Sequence, residues 1–422
     1  MTTVPETTPT TESPLFGTQA QQSASDYLRG SLRRIRGGDI GSIPIIIGVI
    51  IIAVIFQATN SNFLTARNLV NLVVQMAGVT AIAYGVVYVL ILGEIDLSIS
   101  YVSGVCAVLM VLLLHPPPEW PKSIPAMPWF LAIGIALLVG LIIGFVQGKI
   151  ITFFQLPSFV VTLAGFMVWS GVVLILSGGS GTTIIQDETV LGIANAFLPQ
   201  ALGWLAGAAF VAVVAYTQIA EMRTRQGKGL STRPLSIILV QTVILAVIIA
   251  AAVWICNQDR GVPFVGVLLL IMLGILSYVA SRTRFGRYVY AVGGNKEAAR
   301  RAGISVERIR VIVFMMSSGM AAVGGIILAS RLRSVATNTG GGDLLLNSIA
   351  AAVIGGTSLF GGRGKVSSAL LGSVIIASVN NGMGLIPNVS AGARFVVTGL
   401  VLLLAVIVDA LSRRSQQQSG IR

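Results

Sequence analysis

Charge is scarce in this chain. Of its 422 residues only 10% are Asp, Glu, Lys or Arg, where an ordinary soluble domain carries about a quarter. A soluble fold of this length would lack the polar residues to cover its surface. Histidine occurs once, at His115, ahead of three prolines. His-rich metal sites and His-centred catalytic triads are thereby excluded. Cysteine occurs twice, at Cys106 and Cys256, each inside an apolar run. Buried inert thiols are expected there, not a disulfide framework. No G-x-x-x-x-G-K-[ST], H-E-x-x-H or C-x-x-C pattern occurs. Gly361-Gly362-Arg363-Gly364-Lys365-Val366 comes near the first, but Val follows the Lys and no strand precedes it, so ATP binding by this route is not expected. No catalytic residue, metal or cofactor is expected.

What is abundant is apolar. Hydrophobic residues make up 55% of the chain, and mean hydropathy is +0.88. The 48 glycines suit membrane helices, which use Gly more than soluble ones do. The apolar runs are long and unbroken, unlike the alternating strands of about ten residues in membrane barrels. The expected fold is an all-α, polytopic transmembrane bundle. Segments of spanning length fall at about 40–57, 69–92, 99–114, 129–148, 159–176, 201–219, 235–256, 262–280, 311–330, 344–359, 367–385 and 393–411. That is about twelve spans (10–12), the third and tenth being short.

Net charge is +13, and its placement points to topology, not nucleic acid. With the N-terminus inside and the segments alternating, 22 of the 28 basic residues lie inside. The other six are Arg67, Lys122, Arg260, Arg331, Arg333 and Arg394. Positive-inside asymmetry therefore places both termini in the cytoplasm. Trp120 and Trp129 flank an outside loop as interface aromatics do. Residues 1–38, polar and then basic, read as a disordered cytoplasmic tail. Residues 39–412 form the membrane domain, with 413–422 as a second cytoplasmic tail. Of the 15 acidic residues only Glu94, Asp96 and Asp409 approach a span end. Ion-coupled carriers keep ionisable groups at membrane depth, so a pathway for a neutral solute is expected, driven by energy supplied from elsewhere.

Two glycine-rich motifs, GEIDLSIS and IGGTSLFGGRGKV, interrupt apolar runs in the front and back halves. Such pairs point to a transport pathway and to broken helices, since irregular backbone at membrane depth is tolerated only where it is buried in protein or lines a cavity. Asp96 with Ser98 is expected to cap the next helix, and Glu94 to pair with a basic loop residue. Polar candidates for a sugar pathway within the spans are Asn71, Gln75, Tyr84, Thr162, Phe166, Trp169, Ser317, Ser318, Asn380 and Asn381, together with Glu94, Asp96 and Ser98. Asn71 and Gln75 share a helix face. Interhelical hydrogen bonding is the alternative role for each polar group.

The cytoplasmic loop 281–310 is too long for a turn. Within it Gly294, Asn295, Lys296, Glu297, Ala298, Ala299, Arg300, Arg301, Ala302 and Gly303 read as a short helix. Asn295 is its N-cap, Glu297 lies in the first turn, the arginines lie near the C-terminus and Gly303 is the stop. So short a helix is marginal in water and should be docked on a partner, with Ala298, Ala299 and Ala302 permitting close approach.

The run YAVGGNKEAARRAGI resembles the coupling segment of permease subunits in bacterial monosaccharide ABC importers. Gly93-Glu94-Ile95-Asp96-Leu97-Ser98 is similar to that family's G-x-I-D-L-S signature, Leu156–Gly165 to its L-P-x-F-[IV]-V-T-L-x-G motif, and Ile354–Gly362 to its I-G-G-T-S-L-x-G-G motif. The four occur in the family's order, and the resemblance covers the chain from about residue 45 to 411. Within the family the resemblance is strongest to the xylose type. Glu94 stands where ribose-type members more often have Gly, and Asn257–Pro263 looks like a xylose-type loop. Residues of about 199–260 look like that subgroup's two-span insertion. The resemblance implies a cytoplasmic-membrane permease that moves a monosaccharide, most of all D-xylose or a related pentose, by alternating access. It implies a separate ATPase docked on the coupling helix, an extracytoplasmic binding protein, and a second copy of the chain. Another sugar or small polar solute is the main alternative. A twelve-span secondary carrier would need an ionisable residue within a span. A membrane-embedded transferase would need acidic clusters beyond Glu94/Asp96 and Asp187/Glu188.

Overall fold

The computed structural model describes residues 43–117, 125–178, 181–230, 232–390 and 392–400, with positions 403 and 407. The tails expected at 1–38 and 413–422 lie outside these residues, as does Asp409. Helices dominate: α1 Ile43–Thr59, α2 Ala66–Ile91, α3 Ile99–Leu114, α4 Trp129–Phe153, α5 Ser158–Leu176, α6 Glu188–Asn195, α7 Gln200–Gln226, α8 Leu235–Asn257, α9 Phe264–Arg282, α10 Arg284–Gly294, α11 Lys296–Arg301, α12 Val306–Leu332, α13 Leu344–Ile354 and α14 Val366–Leu385. Residues 392–400 are also helical. Ten of the twelve apolar segments coincide with a helix; the tenth is helical only over Leu344–Ile354, and of the twelfth only residues 392–400 with positions 403 and 407 are described. Among the described residues eight helices are long and apolar enough to cross a membrane. The 16-residue α3 and the 11-residue α13 fall short, since 11 residues reach only about 16 Å.

The bundle is built around α2, α3 and α12. Helix α3 is buried on nearly every side, with α4 and α5 on one flank and α12 on another. Helices α13 and α14 pair with each other and lean on α2. The α7–α8 hairpin packs mainly on itself. Its outward face, and that of α1, carry exposed Ile46, Ile50, Leu205, Val243 and Val247. An apolar exterior around a polar-containing interior inverts the soluble pattern and suits lipid.

With lipid tails as apolar as the side chains, close packing must drive association, and small residues permit it. Gly140, Gly144 and Gly148 recur every fourth residue on α4 and form a seam against α12. A Cβ on Gly148 would lie 2.8 Å from Cα of Val311, and one on Gly140 3.0 Å from the Ser318 carbonyl. Gly85 of α2 meets α12 in the same way at Ser317, where a Cβ would lie 2.9 Å from its Cα.

The two ends of the bundle differ. One carries Lys149, Arg284, Arg287, Arg300, Arg310 and Arg363. At the other, two short antiparallel pairs close the loops. β1 Thr182–Ile184 pairs with β4 Ser334–Ala336, and β2 Phe197–Leu198 with β3 Val262–Pro263. There Asp187 caps α6 by accepting from the Val190 N–H at 2.9 Å, and the Ser330 hydroxyl of α12 accepts from the Ala194 N–H at 2.9 Å.

The seam is testable. Gly144→Ala drives a methyl into the Phe314 backbone, whereas Gly134 has open space around its Cα. Unfolding in mixed detergent micelles should show Gly144→Ala destabilised by roughly 1–3 kcal/mol through overpacking, with Gly134→Ala unchanged or slightly stabilised. Equal effects would remove the seam as the reason for the glycine.

Candidate functional site: a four-motif junction and a polar cavity

The turn between α2 and α3 breaks the helix ladder, so its backbone groups need other partners. Gly93 (φ +75°) supplies the left-handed residue that turns the chain. The Glu94 N–H reaches back to the Val89 carbonyl at 3.1 Å. The Ile95 N–H donates to the Ser158 hydroxyl at 3.2 Å, and the Ile95 carbonyl accepts from Thr162 Oγ1 at 3.3 Å. Both partners belong to the LPSFVVTLAG segment. The Ile91 carbonyl accepts from the Gly362 N–H at 2.8 Å, which brings in the GGTSLFGG segment. A Cβ on Gly361 would lie 3.0 Å from Cα of Gly93. Helix α10 completes the junction. Tyr290 Oη donates to the Gly364 carbonyl at 2.7 Å, and a Cβ on Gly293 would collide with the Ile91 carbonyl oxygen.

Glu94 is the electrostatic centre of this junction. It is 5% exposed, and its Oε1 accepts from Lys296 Nζ at 2.7 Å and from the Arg310 guanidinium at 2.9 Å. Burial alone would push the carboxyl up. The Lys296 hydrogen bond, the Ser158 hydroxyl and the Arg310 charge outweigh it and hold Glu94 below its usual value. Asp96 is also buried. Its Oδ1 accepts from the Ser98 N–H at 3.0 Å and the Ser98 hydroxyl at 2.7 Å, and its Oδ2 from Ser317 of α12 at 3.0 Å. Ser98 Oγ also lies 3.1 Å from Gln147 Oε1.

The loop 281–310 holds two helices where one was expected. Helix α10 precedes α11, with Thr283 accepting from the Gly286 N–H at 3.1 Å and with Val289 and Val292 buried. Gly294 closes α10 and does not belong to the shorter helix. Asn295 Oδ1 caps α11 through the Ala298 N–H at 2.9 Å, and Gly303 (φ +80°) ends it. Glu297, Ala298, Arg300, Arg301 and Ala302 are exposed. Ala299 is buried against the bundle, which corrects its expected place on the partner-facing side. Arg300 pairs with Glu297 at 2.9 Å and with Glu307 at 3.1 Å.

At the opposite end a cavity of about 560 Å³ opens between α2, α12, α13 and α14. That volume is typical of small-molecule sites. Of the polar candidates from the sequence, Gln75 and Asn380 line it. Asn381 spends its amide between helices, donating to Gln75 Oε1 and to Asn68 Oδ1, each at 3.1 Å. The others sit elsewhere. Asn71 accepts from Arg260 at 2.5 Å. Tyr84 Oη donates to the Leu269 carbonyl at 3.2 Å. Thr162 and Ser317 serve the junction. Phe166 lies edge-on to Tyr101 at 4.7 Å, and Trp169 is half-buried against the core. Ser318 is buried on α12 facing α4. Sequence reasoning missed the cavity's own charged and polar groups, Arg331, Asp343, Asn347, Ser373 and Arg394. The i, i+4 spacing of Asp343 and Asn347 was the available signal, because it places both on one helix face.

Comparison with known proteins agrees with the four motifs. Residues 68–406 match the family described as branched-chain amino acid transport system / permease component. The xylose transport system permease protein XylH of Escherichia coli (strain K12) is 37% identical over 378 residues, 88% of this chain and 92% of that protein. Its Haemophilus influenzae counterpart is 35% identical over 86% of this chain and 94% of its own length. The ribose import permease protein RbsC of Bacillus subtilis is 30% identical over 86% and 91%. No solved structure matches.

The Glu94 pairs yield a prediction. Glu94→Gln leaves Arg310, 11% exposed, beside a neutral amide. Removing one partner of a buried pair is costly, though half-exposed Lys296 limits the loss. Hydrogen exchange across 284–304 should rise roughly tenfold at neutral pH, about 1.4 kcal/mol. The folded value of Glu94 is lowered, so its contribution is complete above the ordinary carboxylate value and is lost as pH falls through the lowered one. Unchanged exchange in the variant would show that the backbone bonds alone hold the junction.

Proposed function

The chain belongs to the family of branched-chain amino acid transport system permease components, and from that premise we propose that it carries a pentose across the membrane by alternating access. It is the permease component of an ABC sugar importer, a multi-pass protein of the bacterial cytoplasmic membrane and not itself an enzyme. The finer reading takes D-xylose or a related pentose as solute, delivered by an extracytoplasmic binding protein. Two copies of the chain flank the pathway. An ATPase docks at the basic, cytoplasmic end on the exposed face of α11, from Glu297 to Ala302. The α7–α8 hairpin is an addition to the permease core.

The observation that carries this reading is the meeting of all four motifs at the α2–α3 turn, which Lys296 of α11 joins through its bond to Glu94. A docked ATPase that moves α11 pulls on Glu94 through Lys296. Glu94 is held to Arg310 at the foot of α12. Helix α12 runs 27 residues from there to the cavity, about 40 Å at 1.5 Å per residue. A partner binding at one end can thus favour one of two arrangements at the other, provided it binds them unequally. Pentose transport is supported by the named function of the xylose relatives and by a polar cavity wide enough for one sugar.

Purification in mild detergent tests the assembly. Wild-type chain should retain an ABC ATPase, identified by mass spectrometry, and Glu297→Arg, which reverses an exposed charge on α11, should lose it while staying folded. A folded wild-type chain that retains no ATPase under any condition would overturn the importer reading and bring secondary transport forward. Uptake of labelled D-xylose, D-ribose and L-arabinose by cells carrying the whole importer then ranks the solutes, and failure to take up any pentose would overturn the pentose assignment.

A further inference from the structure

The cavity opposite the basic end has a feature the transport reading does not require. Many transport pathways need only be wet and wide. This one is lined by side chains whose hydrogen-bonding capacity is left unused within the protein. Arg331, in the last turn of α12, is half-buried and has no carboxylate within ion-pair distance among the described residues. Arg394 also lines the cavity, and its Nε is buried without a partner among them. Asp343, which lines the cavity too, accepts at Oδ2 from Asn347 Nδ2 at 2.6 Å. Asn347 Oδ1 and Ser373 Oγ, both buried, are again without a partner. Three unpartnered buried polar atoms on one cavity are unusual, because native structures satisfy nearly all such groups.

The set is mixed in kind. Arg331, Arg394 and the Ser373 hydroxyl donate. The Asp343 carboxylate and Asn347 Oδ1 accept. A guanidinium fork spans two neighbouring oxygens at once, and a carboxylate takes two neighbouring O–H groups. Adjacent hydroxyls of a sugar ring donate and accept at every carbon, so they answer both. Met76, Leu328 and Ile376 supply apolar surface for the ring's C–H face. A carboxylate-bearing solute would satisfy the arginines but meet Asp343 in the same space, where like charges repel.

We propose that Arg331, Asp343, Asn347 and Ser373 form a defined sugar subsite in the outer half of the permease, selective for a neutral polyhydroxylated solute with adjacent hydroxyls. This rests on the reading of the chain as a sugar permease and adds to it a binding step within the membrane protein itself. Arg331 and Asp343 are the specificity-determining pair.

Saturation binding to the full-length chain in lipid nanodiscs tests the subsite. The radiolabelled probe is whichever of D-xylose, D-ribose and L-arabinose the intact importer takes up. The wild type should bind it saturably. The corresponding aldonate, which has the same carbon skeleton with a carboxylate at C1, should compete worse than the unlabelled sugar. Arg331→Gln and Asp343→Asn, checked for wild-type unfolding midpoints, should each weaken binding by roughly tenfold or more, the scale of a charge-assisted hydrogen bond. Because Asp343→Asn removes the repulsion, it should also narrow the preference over the aldonate. Sugar uptake by the importer without saturable binding to the permease would overturn the subsite and leave the permease reading intact. So would unchanged affinity in both folded variants, or an aldonate that outcompetes the sugar. An importer that moves no sugar and retains no ATPase would instead overturn the permease reading itself.

Discussion

The chain cannot turn inside a membrane bundle unless the freed backbone groups find partners in protein, and the α2–α3 turn is where that constraint is met. Several of the groups freed from the helix ladder between Ile91 and Ser98 are answered, mostly by groups from other segments. Gly362 takes the Ile91 carbonyl, Ser158 and Thr162 take the two sides of Ile95, and Asp96 takes the Ser98 N–H. Those partners come from segments far apart in sequence. Four motifs that read separately are thus one structure, in which the loss of one partner leaves another segment's backbone unsatisfied.

Charge then adds what hydrogen bonds alone do not supply. A turn satisfied only by backbone and hydroxyl groups would fix its own shape without engaging the basic loop. Glu94 extends the junction outward, because one carboxylate oxygen serves both Lys296 at the start of α11 and Arg310 at the foot of α12. Helix α12 is also the element that α4 approaches through its glycine seam, and its Ser317 donates to Asp96. Small residues allow close approach, close approach makes α12 the bundle's axis, and the axis joins the junction to the cavity. Larger residues at Gly144 and Gly148 would move α12 outward and with it the hydroxyl that Asp96 requires.

The helices were legible because spanning length and apolar composition are properties of a single segment, and ten of the marked segments coincide with helices over their length. Helix α11 was legible for the same reason, since Asn295 and Gly303 are local signals. Helix α10 was not, because RFGRYVYAVGG mixes glycine, aromatics and arginine, and its buried stripe of Val289 and Val292 has meaning only against the bundle. The cavity was hidden more thoroughly. Gln75 and Arg394 line it together though more than 300 residues separate them, so no window of sequence contains it. Asn71, Tyr84 and Asn381 looked like candidates because a polar group in an apolar run must be satisfied. They are satisfied, by Arg260, by the Leu269 carbonyl and by Asn68 with Gln75. Polarity within a span signals an obligation to bond and does not say to what.

The distribution of charge bears on how such a chain can be driven. At the midplane, an ion-coupled carrier needs a titratable or cation-binding group that both faces of the membrane can reach in turn. Here the charged groups gather at the two ends of the bundle. Glu94, Lys296 and Arg310 lock one end, and Arg331, Asp343 and Arg394 line the cavity at the other. Asp96, the buried acid between them, is occupied by Ser98 and Ser317 hydroxyls and holds the turn. Among the described residues no charged side chain other than Asp96 lies between those two ends, an arrangement that fits the proposed import driven from outside the span better than ion coupling. Lys296, Glu94 and Arg310 do join the exposed basic helix α11 to the foot of α12, whose other end lines the polar cavity, and the ATPase proposed to dock at α11 would act along that line of contacts.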